Sequence, residues 1–215
     1  MTDRWNHNIH YHPVILGALP SHCLRVLDVG CGEGTLTRRL RTIVPEVTAI
    51  DLDPASVDLA RHHDHRVPRD GGPINYPLAD FLTHPFEKNS FDAIVSVAAL
   101  HHMNAIAALA RMRELLRPGG TPAIIGLARG QLPADLPVEL AAAIATRVHK
   151  LTKTYWEHPS PKIWPPPLTY TGMRRVAAEV LPGVRYHRHL LWRYSLTWTK
   201  PPDSPRTAEN THSRQ

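Results

Sequence analysis

The chain is poor in cysteine and in long apolar runs. It has 215 residues and only two cysteines, which suits a reduced cytosolic protein better than a disulfide-stapled secreted one. No window approaches the roughly eighteen consecutive apolar residues that a membrane-spanning helix needs. The first residues, MTDRWNHNIHYHP, are polar and lack the apolar stretch of a secretory signal. We therefore expect a cytoplasmic protein without a membrane span.

The chain also lacks a long basic run, although its formal net charge is +6 and its pI is near 9.6. The arginines occur in small groups, such as Arg38, Arg39 and Arg41, on predicted helix surfaces. Aromatic residues make up 7% of the chain, and no strand shows the aromatic pattern that stacks nucleic-acid bases. We interpret the charge as a solvated basic surface and expect no specific nucleic-acid partner, while a nucleic-acid substrate remains the alternative.

What the chain does contain is a repeated alternation of strand and helix patterns. Short apolar runs with β-branched residues alternate with amphipathic segments over the first 127 residues, and two strand-like segments follow near the end. This order predicts an α/β fold, a doubly wound, mostly parallel sheet of about seven strands whose last strand pair adds an antiparallel edge. The predicted strands of the parallel part are CLRVLDVG, EVTAIDLD, INYPLAD, FDAIVSVAAL and TPAIIGL.

The length and the single alternating pattern predict one domain over residues 1–200. The regular alternation fails after about residue 128, where a helical segment is followed by a proline-rich stretch. Long irregular segments in compact domains are often lids. We predict an N-terminal cap at 1–20, a cofactor-binding core at 24–127, a lid or substrate segment at 128–170, a final helix and strand pair at 171–200, and a disordered tail at 201–215.

The stretch VLDVGCGEGTL, at positions 26–36, places an acid directly before a glycine-rich loop. Gly30 and Gly32 fit the start of the G-x-G-x-x-G dinucleotide fingerprint, but the third glycine is missing because position 35 is Thr35. The carboxylate of Asp28 would also repel a pyrophosphate at the following helix N-terminus. S-adenosylmethionine carries an ammonium and a sulfonium and no phosphate. We therefore predict that it is the ligand of this loop.

Two further acids follow neighbouring strands. Asp51 ends the second strand, 21 residues after Gly30, where an acid can accept hydrogen bonds from ribose hydroxyls. At the end of the third strand, Asp80 and Phe81 could offer a carboxylate and an apolar face to adenine. Because open α/β sheets bind ligands at the carboxyl ends of their strands, we expect these side chains to share one site.

Five segments, in this order and spacing, resemble class I S-adenosylmethionine-dependent methyltransferases. The resemblance is greatest to the small-molecule branch that includes the type 11 methyltransferases and the ubiquinone-pathway methylases. It covers about residues 24–127 and says little about residues 128–215. The matching segments are VLDVGCGEGTL, AIDLDPASVDLAR, PLADF, FDAIVSVAALHHM and LRPGG.

The resemblance implies a place for each part of the cofactor. The methionyl end would lie on the glycine loop, beside Asp28 and against the backbone at Val97. The ribose would contact Asp51, and the adenine would lie beside Asp80 and Phe81. The predicted cofactor-binding residues are Asp28, Gly30, Cys31, Gly32, Asp51, Leu52, Asp80, Phe81 and Val97.

Histidines near the fourth strand and in the N-terminal segment are the candidate proton acceptors, because a hydroxyl or ammonium acceptor must lose a proton. We predict His102, His101 or His10 in this role, with packing or pocket shaping as the alternative. The neutral imidazoles of the N-terminal segment make a weak case for a metal, and we predict none. The predicted substrate contacts are Trp5, His7, Tyr11, His12, Tyr155, Trp156 and Trp164.

The expected function is methyl transfer to O, N or C of a small molecule, and two alternatives remain. The first is an RNA methyltransferase, although the fourth strand ends in Ser96-Val97-Ala98-Ala99 rather than an Asn-Pro-Pro-Tyr-like motif. The second is a cofactor-binding protein of this fold that catalyses a different reaction. The oligomeric state, the acceptor and the pathway stay open.

The acid before the glycine loop and the missing third glycine predict ligand selectivity. The purified protein should bind S-adenosylhomocysteine and should not bind NAD, whose pyrophosphate would meet the Asp28 carboxylate. Calorimetric titration with both ligands measures this selectivity. Binding of NAD with no response to S-adenosylhomocysteine would contradict the interpretation of the loop.

Overall fold

The computed structural model describes residues 4–65, 72–156 and 163–202. A seven-stranded sheet forms the centre of the molecule, and a second, two-stranded sheet lies outside it. The strands are β1 (Arg4–Trp5), β2 (Arg25–Val29), β3 (Glu46–Ile50), β4 (Ile74–Asn75), β5 (Phe91–Val97), β6 (Leu116–Gly126), β7 (Thr154–Tyr155), β8 (Arg185–His189) and β9 (Arg193–Thr197).

The central sheet has the order β4-β3-β2-β5-β6-β9-β8. The strands from β4 to β6 run parallel to one another, whereas β9 pairs with β6 and with β8 in the antiparallel sense. The predicted mostly parallel sheet of about seven strands with an antiparallel edge is therefore confirmed. Strands β2 and β5 lie at the middle of the sheet and are almost wholly buried, as the continuous apolar runs of their sequences indicate.

The helices cover both faces of the sheet. Asp53 caps the helix after β3, its carboxylate accepting a hydrogen bond from the Ser56 amide at 3.0 Å, and Asn104 accepts one from the Ala107 amide, also at 3.0 Å. Both side chains thus satisfy backbone N–H groups that the first helical turn leaves free. The helices are α1 (His7–His10), α2 (His12–Gly17), α3 (Thr35–Arg41), α4 (Pro54–Asp64), α5 (Ala105–Leu115), α6 (Leu136–Thr152) and α7 (Tyr170–Val180).

Three predicted elements end earlier in the structure than the apolar pattern suggested. The fourth predicted strand stops at Val97 because Ala98 has a positive φ of 56°, and a 3₁₀ turn, Leu100–His102, follows it. The third predicted strand is reduced to β4, with one further bridge between Asp51 and Leu78. The amphipathic segment after the glycine loop forms helix α3, which ends at Arg41, so that Ile43 lies beyond it and is 57% exposed.

The N-terminal segment and the segment after β6 join into one layer, here called the cap (residues 4–17, 129–156 and 163–169). Strand β1 pairs in parallel with β7, and the amide of Trp156 donates to the carbonyl of Trp5 at 2.9 Å. Helix α6 contributes Thr146, whose hydroxyl lies 3.2 Å from His7 Nε2. The two segments that the sequence offered as separate candidate covers therefore form a single structure.

No helix within the described ranges is both long and apolar enough to cross a membrane. The predicted disordered tail begins at residue 201, and positions 203–215 of it lie outside the described residues. The part of the predicted lid at 157–162 also lies outside them.

Gly126, the last residue of β6, provides a test of the packing between the parallel strands and the antiparallel edge. A Cβ at this position would lie 2.2 Å from Cζ and Oη of Tyr194, whose ring is buried and stacks on Tyr186. Gly126→Ala should therefore lower the free energy of unfolding by about 1–3 kcal/mol, as overpacked cores do, measured by urea denaturation. Gly17→Ala is the control, because no heavy atom lies within 4 Å of its added Cβ. Equal stability of the two variants would contradict the packing argument.

Candidate functional site

The glycine-rich loop after β2 is built from left-handed backbone. Gly30, Gly32 and Gly34 have φ values of 71°, 55° and 76°, a region that side-chain-bearing residues rarely occupy. The amides of Gly30 and Cys31 donate to the carbonyl of Ile50 at 2.8 and 3.2 Å. A Cβ on Gly30 would lie only 2.2 Å from the Cβ of Ala99. The loop is thus held between the ends of β3 and β5 with no room for a side chain at its first glycine.

The acid at the end of β3 is oriented by this loop. Asp51 accepts a hydrogen bond from the Gly32 amide at 2.8 Å through one carboxylate oxygen and one from the Asp53 amide at 3.0 Å through the other. Further along the same sheet edge, Asp80 accepts from the Leu82 amide at 2.9 Å. Backbone amides fix both carboxylates at the carboxyl edge of the sheet, where the sequence predicted a shared site.

Asp28 is a buried acid beneath the loop. Its carboxylate is 2% exposed and accepts a hydrogen bond from the Thr37 hydroxyl at 2.6 Å. Burial raises the pKa of Asp28 to about 7; the hydrogen bond from Thr37 opposes this rise, and the charge of Asp51 adds to it. Asp28 is therefore poised between its neutral and ionised forms near neutral pH, and a cation beside it would favour ionisation.

A cavity of about 860 Å³ extends from the glycine loop to the cap, within the range of roughly 300–1,000 Å³ that is typical of small-ligand pockets. Among the described residues that line its loop end there are four acids and no lysine or arginine. All nine residues that the sequence predicted for the cofactor lie on its wall: Asp28, Gly30, Cys31, Gly32, Asp51, Leu52, Asp80, Phe81 and Val97.

The end of the cavity under the cap is lined by five further predicted residues and by several that the sequence did not indicate. His101 and His102, from the turn after β5, lie on the wall together with His12, Trp156 and Trp164. The unpredicted wall residues at this end are Asn6, Asn8, Ile9, Met103, Leu127, Ile163 and Arg193.

Five residues predicted as substrate contacts or proton acceptors lie off the cavity wall. Their side chains pack against one another, against His149 of α6 and against the β8–β9 turn, as the stacked pair of Trp5 and His149 at 4.6 Å between ring centroids shows. Since they contact other parts of the cap instead of the cavity, we do not propose them as ligand contacts. These residues are Trp5, His7, His10, Tyr11 and Tyr155.

The histidines of the wall are neutral at physiological pH. Burial lowers the pKa of His101 to about 4, helped by the nearby charges of His102 and Arg193. Burial also lowers the pKa of His102, with Asp51 opposing it, and lowers the pKa of His12 to about 3. Neutral imidazoles can accept a proton or a hydrogen bond. In the described part of the chain, no three or more His, Cys, Asp or Glu side chains are grouped as metal ligands.

The most consequential wall residue that the sequence analysis missed is Arg193. It follows the turn between β8 and β9 and is only 7% exposed. The available signal was its position as the one charged residue of LLWRYSLTW, a run otherwise typical of a buried strand. A cation in such a run indicates either an edge position or a functional site, because arginine is rarely buried without a partner.

Comparisons with known proteins identify the family of this chain. Residues 27–124 match the family described as methyltransferase domain. A protein of Mycobacterium tuberculosis named as an uncharacterized methyltransferase is 37% identical over 202 residues, which are 94% of this chain and 100% of that protein. The chain belongs to the S-adenosylmethionine-dependent methyltransferase family.

Other relatives cover less of the sequence or share only the fold. A ubiquinone biosynthesis O-methyltransferase of Methylocella silvestris is 35% identical over 102 residues, 47% of this chain and 39% of that protein. The crystal structure of an S-adenosylmethionine-dependent methyltransferase from Methanosarcina mazei aligns with a TM-score of 0.61 at 17% identity, covering 89% of this chain and 98% of that one. The sheet of this methyltransferase is thus the family fold, and S-adenosylmethionine is its cofactor.

Because the pKa of Asp28 is raised, the free energy of unfolding of the ligand-free methyltransferase should fall as the pH rises. The ordinary pKa of 3.8 rises to about 7 on folding, so between these values the folded state holds the proton more tightly than the unfolded state. The Asp28 contribution to stability is therefore lost as pH rises from about 4 to about 7. Asp28→Asn, which keeps an acceptor for Thr37, should gain stability over the wild type by about 1.4 kcal/mol per pH unit in this window.

Urea denaturation of both proteins between pH 5 and pH 8 measures this difference, with Asp58→Asn as the control on the exposed face of α4. A stability difference between Asp28→Asn and the wild type that does not change with pH would contradict the assignment.

Proposed function

We propose that this methyltransferase transfers the methyl group of S-adenosylmethionine to O, N or C of a small molecule held beneath the cap. The observation that supports this proposal is the single cavity that joins the glycine loop to the space under the cap. One cavity of this length accommodates a donor at the loop end and an acceptor at the cap end, with the methyl group between them.

The residues at the loop end fit the cofactor. The methionyl end of S-adenosylmethionine carries an ammonium, a sulfonium and one carboxylate, so its net charge is positive. Among the described residues, the wall there offers Asp28 below the loop and no basic side chain. In this proposal the methionyl group lies along Gly30, Cys31 and Gly32 and against the backbone at Val97. A dinucleotide pyrophosphate would find no positive partner in the same place.

The remaining acids serve the nucleoside part of the cofactor. Asp51 keeps lone pairs free for the ribose hydroxyls even while it accepts two backbone amides, and Leu52 covers the sugar. Asp80 accepts from the adenine amino group, and the buried ring of Phe81 contacts the base. Each of these side chains follows the carboxyl end of a parallel strand, the position where open α/β sheets bind ligands.

The chemistry that the protein must supply is modest, because the bound cofactor brings an already activated methyl group. The cap excludes water and sets the line of approach of the nucleophile. Where the acceptor is a hydroxyl or an ammonium, His101 and His102 are the wall residues able to accept its proton, since both are neutral at physiological pH.

Two observations support a small acceptor over RNA. The cap end of the cavity is lined by Ile9, Trp156 and Trp164, whose apolar and aromatic side chains suit a small organic ligand better than a polyanionic polymer. Among the known relatives, the Methylocella silvestris protein is named for O-methylation in ubiquinone biosynthesis, which supports oxygen as the accepting atom.

A labelling experiment tests the proposal. With methyl-labelled S-adenosylmethionine, the protein should transfer label to the small-molecule fraction of a cell extract and leave purified total RNA unlabelled. Gly30→Ala should lose this transfer by at least about a hundredfold, because the added Cβ would lie 2.2 Å from the Ala99 Cβ and displace the loop. Gly17→Ala should keep it. Label in the nucleosides of digested RNA, and none in small molecules, would contradict the proposal.

A further inference from the structure

Arg193 is a buried cation without a carboxylate partner. Its guanidinium donates to the side-chain oxygen of Asn8 from Nε at 3.2 Å and from Nη2 at 2.7 Å. Nη1 donates to the backbone carbonyls of Leu191 and Trp192, each at 3.2 Å. All four contacts are to neutral oxygens, and within the described ranges no acid lies at ion-pair distance from this side chain.

The environment of the guanidinium confirms that its charge is uncompensated. Burial lowers the pKa of Arg193 to about 10, and in the described part of the chain the groups that oppose this effect are the hydroxyls of Tyr170, Tyr11 and Tyr155, none of them a carboxylate. Arg193 is therefore still positively charged at neutral pH. A buried charge is costly when nothing of opposite sign is near it. The described residues of the folded chain do not supply a negative charge that would offset this cost, so a bound anion is the remaining source.

The backbone around Arg193 is arranged to hold the guanidinium in place. Leu191 and Trp192 have positive φ values of 59° and 56°, and such conformations in non-glycine residues are strained and cluster at functional sites. The turn directs both of their carbonyls to Nη1 of Arg193. The hydroxyl of Tyr11 secures the same turn by donating to the Leu190 carbonyl at 2.6 Å.

Arg193 lies at the opposite end of the cavity from the acids. Arg193 and Asn8 both lie on the wall at the cap end, and the charge of Arg193 acts on His101 of the same wall. Among the residues that the structure describes, no other lysine or arginine lines the cavity, while all four acids of the described wall belong to the loop end. The cavity is thus negative where the cationic donor lies in the proposed function and positive where the acceptor lies.

We propose that Arg193 is the counter-ion of a carboxylate carried by the methyl acceptor, so that the natural acceptor is an organic acid. This inference rests on the proposed function, which places the acceptor under the cap. A carboxylate is favoured over a phosphate because the described part of the wall offers one cation, which neutralises a single negative charge. In addition, four of the five guanidinium N–H groups already have partners.

The test compares carboxylic acids with their uncharged amides. Benzoate, phenylacetate and hexanoate are each titrated beside benzamide, phenylacetamide and hexanamide at pH 7.5, with binding followed by tryptophan fluorescence and by thermal stability. Titrations use the protein alone and the protein saturated with S-adenosylhomocysteine. In the wild type, at least one acid should bind about tenfold or more tightly than its amide, the scale of a hydrogen-bonded charge pair.

Arg193→Met should bind each acid and its amide equally, while Arg193→Lys should retain part of the preference. Arg175→Met, which removes an exposed arginine of α7, should behave as the wild type. The inference is overturned if the wild type shows no preference in any pair, or if Arg193→Met keeps the wild-type preference. Should Arg193→Met fail to fold, the wild-type pairs and Arg193→Lys still decide the question.

S-adenosylhomocysteine binding separates this inference from the proposed function. Wild type that binds S-adenosylhomocysteine but shows no preference for acids overturns only the assignment of Arg193. Wild type that prefers acids but does not bind S-adenosylhomocysteine overturns the proposed donor site instead. Arg193→Met should bind S-adenosylhomocysteine as the wild type does. Loss of that binding in a folded Arg193→Met would assign Arg193 to the carboxylate of the cofactor itself and would overturn the inference.

Discussion

The close contact between the glycine loop and the end of β5 is the constraint on which the site depends. Gly30 has no space for a Cβ because Ala99 lies against it, and Ala98 has a positive φ that lets the chain turn there. Together with the hydrogen bonds to the Ile50 carbonyl, this packing brings the ends of β2, β3 and β5 to one place. The orientation of Asp51 and the floor of the cavity follow from it.

Charge is separated along the cavity. Acids gather at the loop end, and Asp28 is held there at a raised pKa because it is buried beside Asp51. At the cap end, Arg193 is the one lysine or arginine among the described wall residues, and its hydrogen-bond partners there are neutral oxygens. Each end therefore carries an electrostatic cost in the free protein, and ligands of opposite charge at the two ends would relieve both costs at once.

The cap explains why several aromatic and histidine side chains of the N-terminal segment do not contact the cavity. Trp5, His10 and Tyr11 contact one another, α6 and the β8–β9 turn, so that they act as the interior of the cap. The residues between them, Asn6 and Asn8, face the cavity and Arg193 instead. In this segment, some side chains therefore pack inside the cap, and others face the cavity.

Local patterns in the sequence were enough to predict the sheet, the glycine loop and the acids at the strand ends. Each depends on residues close together in the chain: an apolar run predicts a buried strand, and VLDVGCGEGTL carries both the acid and the glycines. Strand ends were less predictable, because the stop at Val97 depends on the positive φ of Ala98 and on the packing of Ala99 against Gly30. The tertiary structure alone decided the cap, where β1 pairs with a strand about 150 positions away, and the role of Arg193. The burial of a cation depends on residues that are distant in the sequence. It can be recognised only once the structure shows which residues surround the cation and that none of those described is an acid.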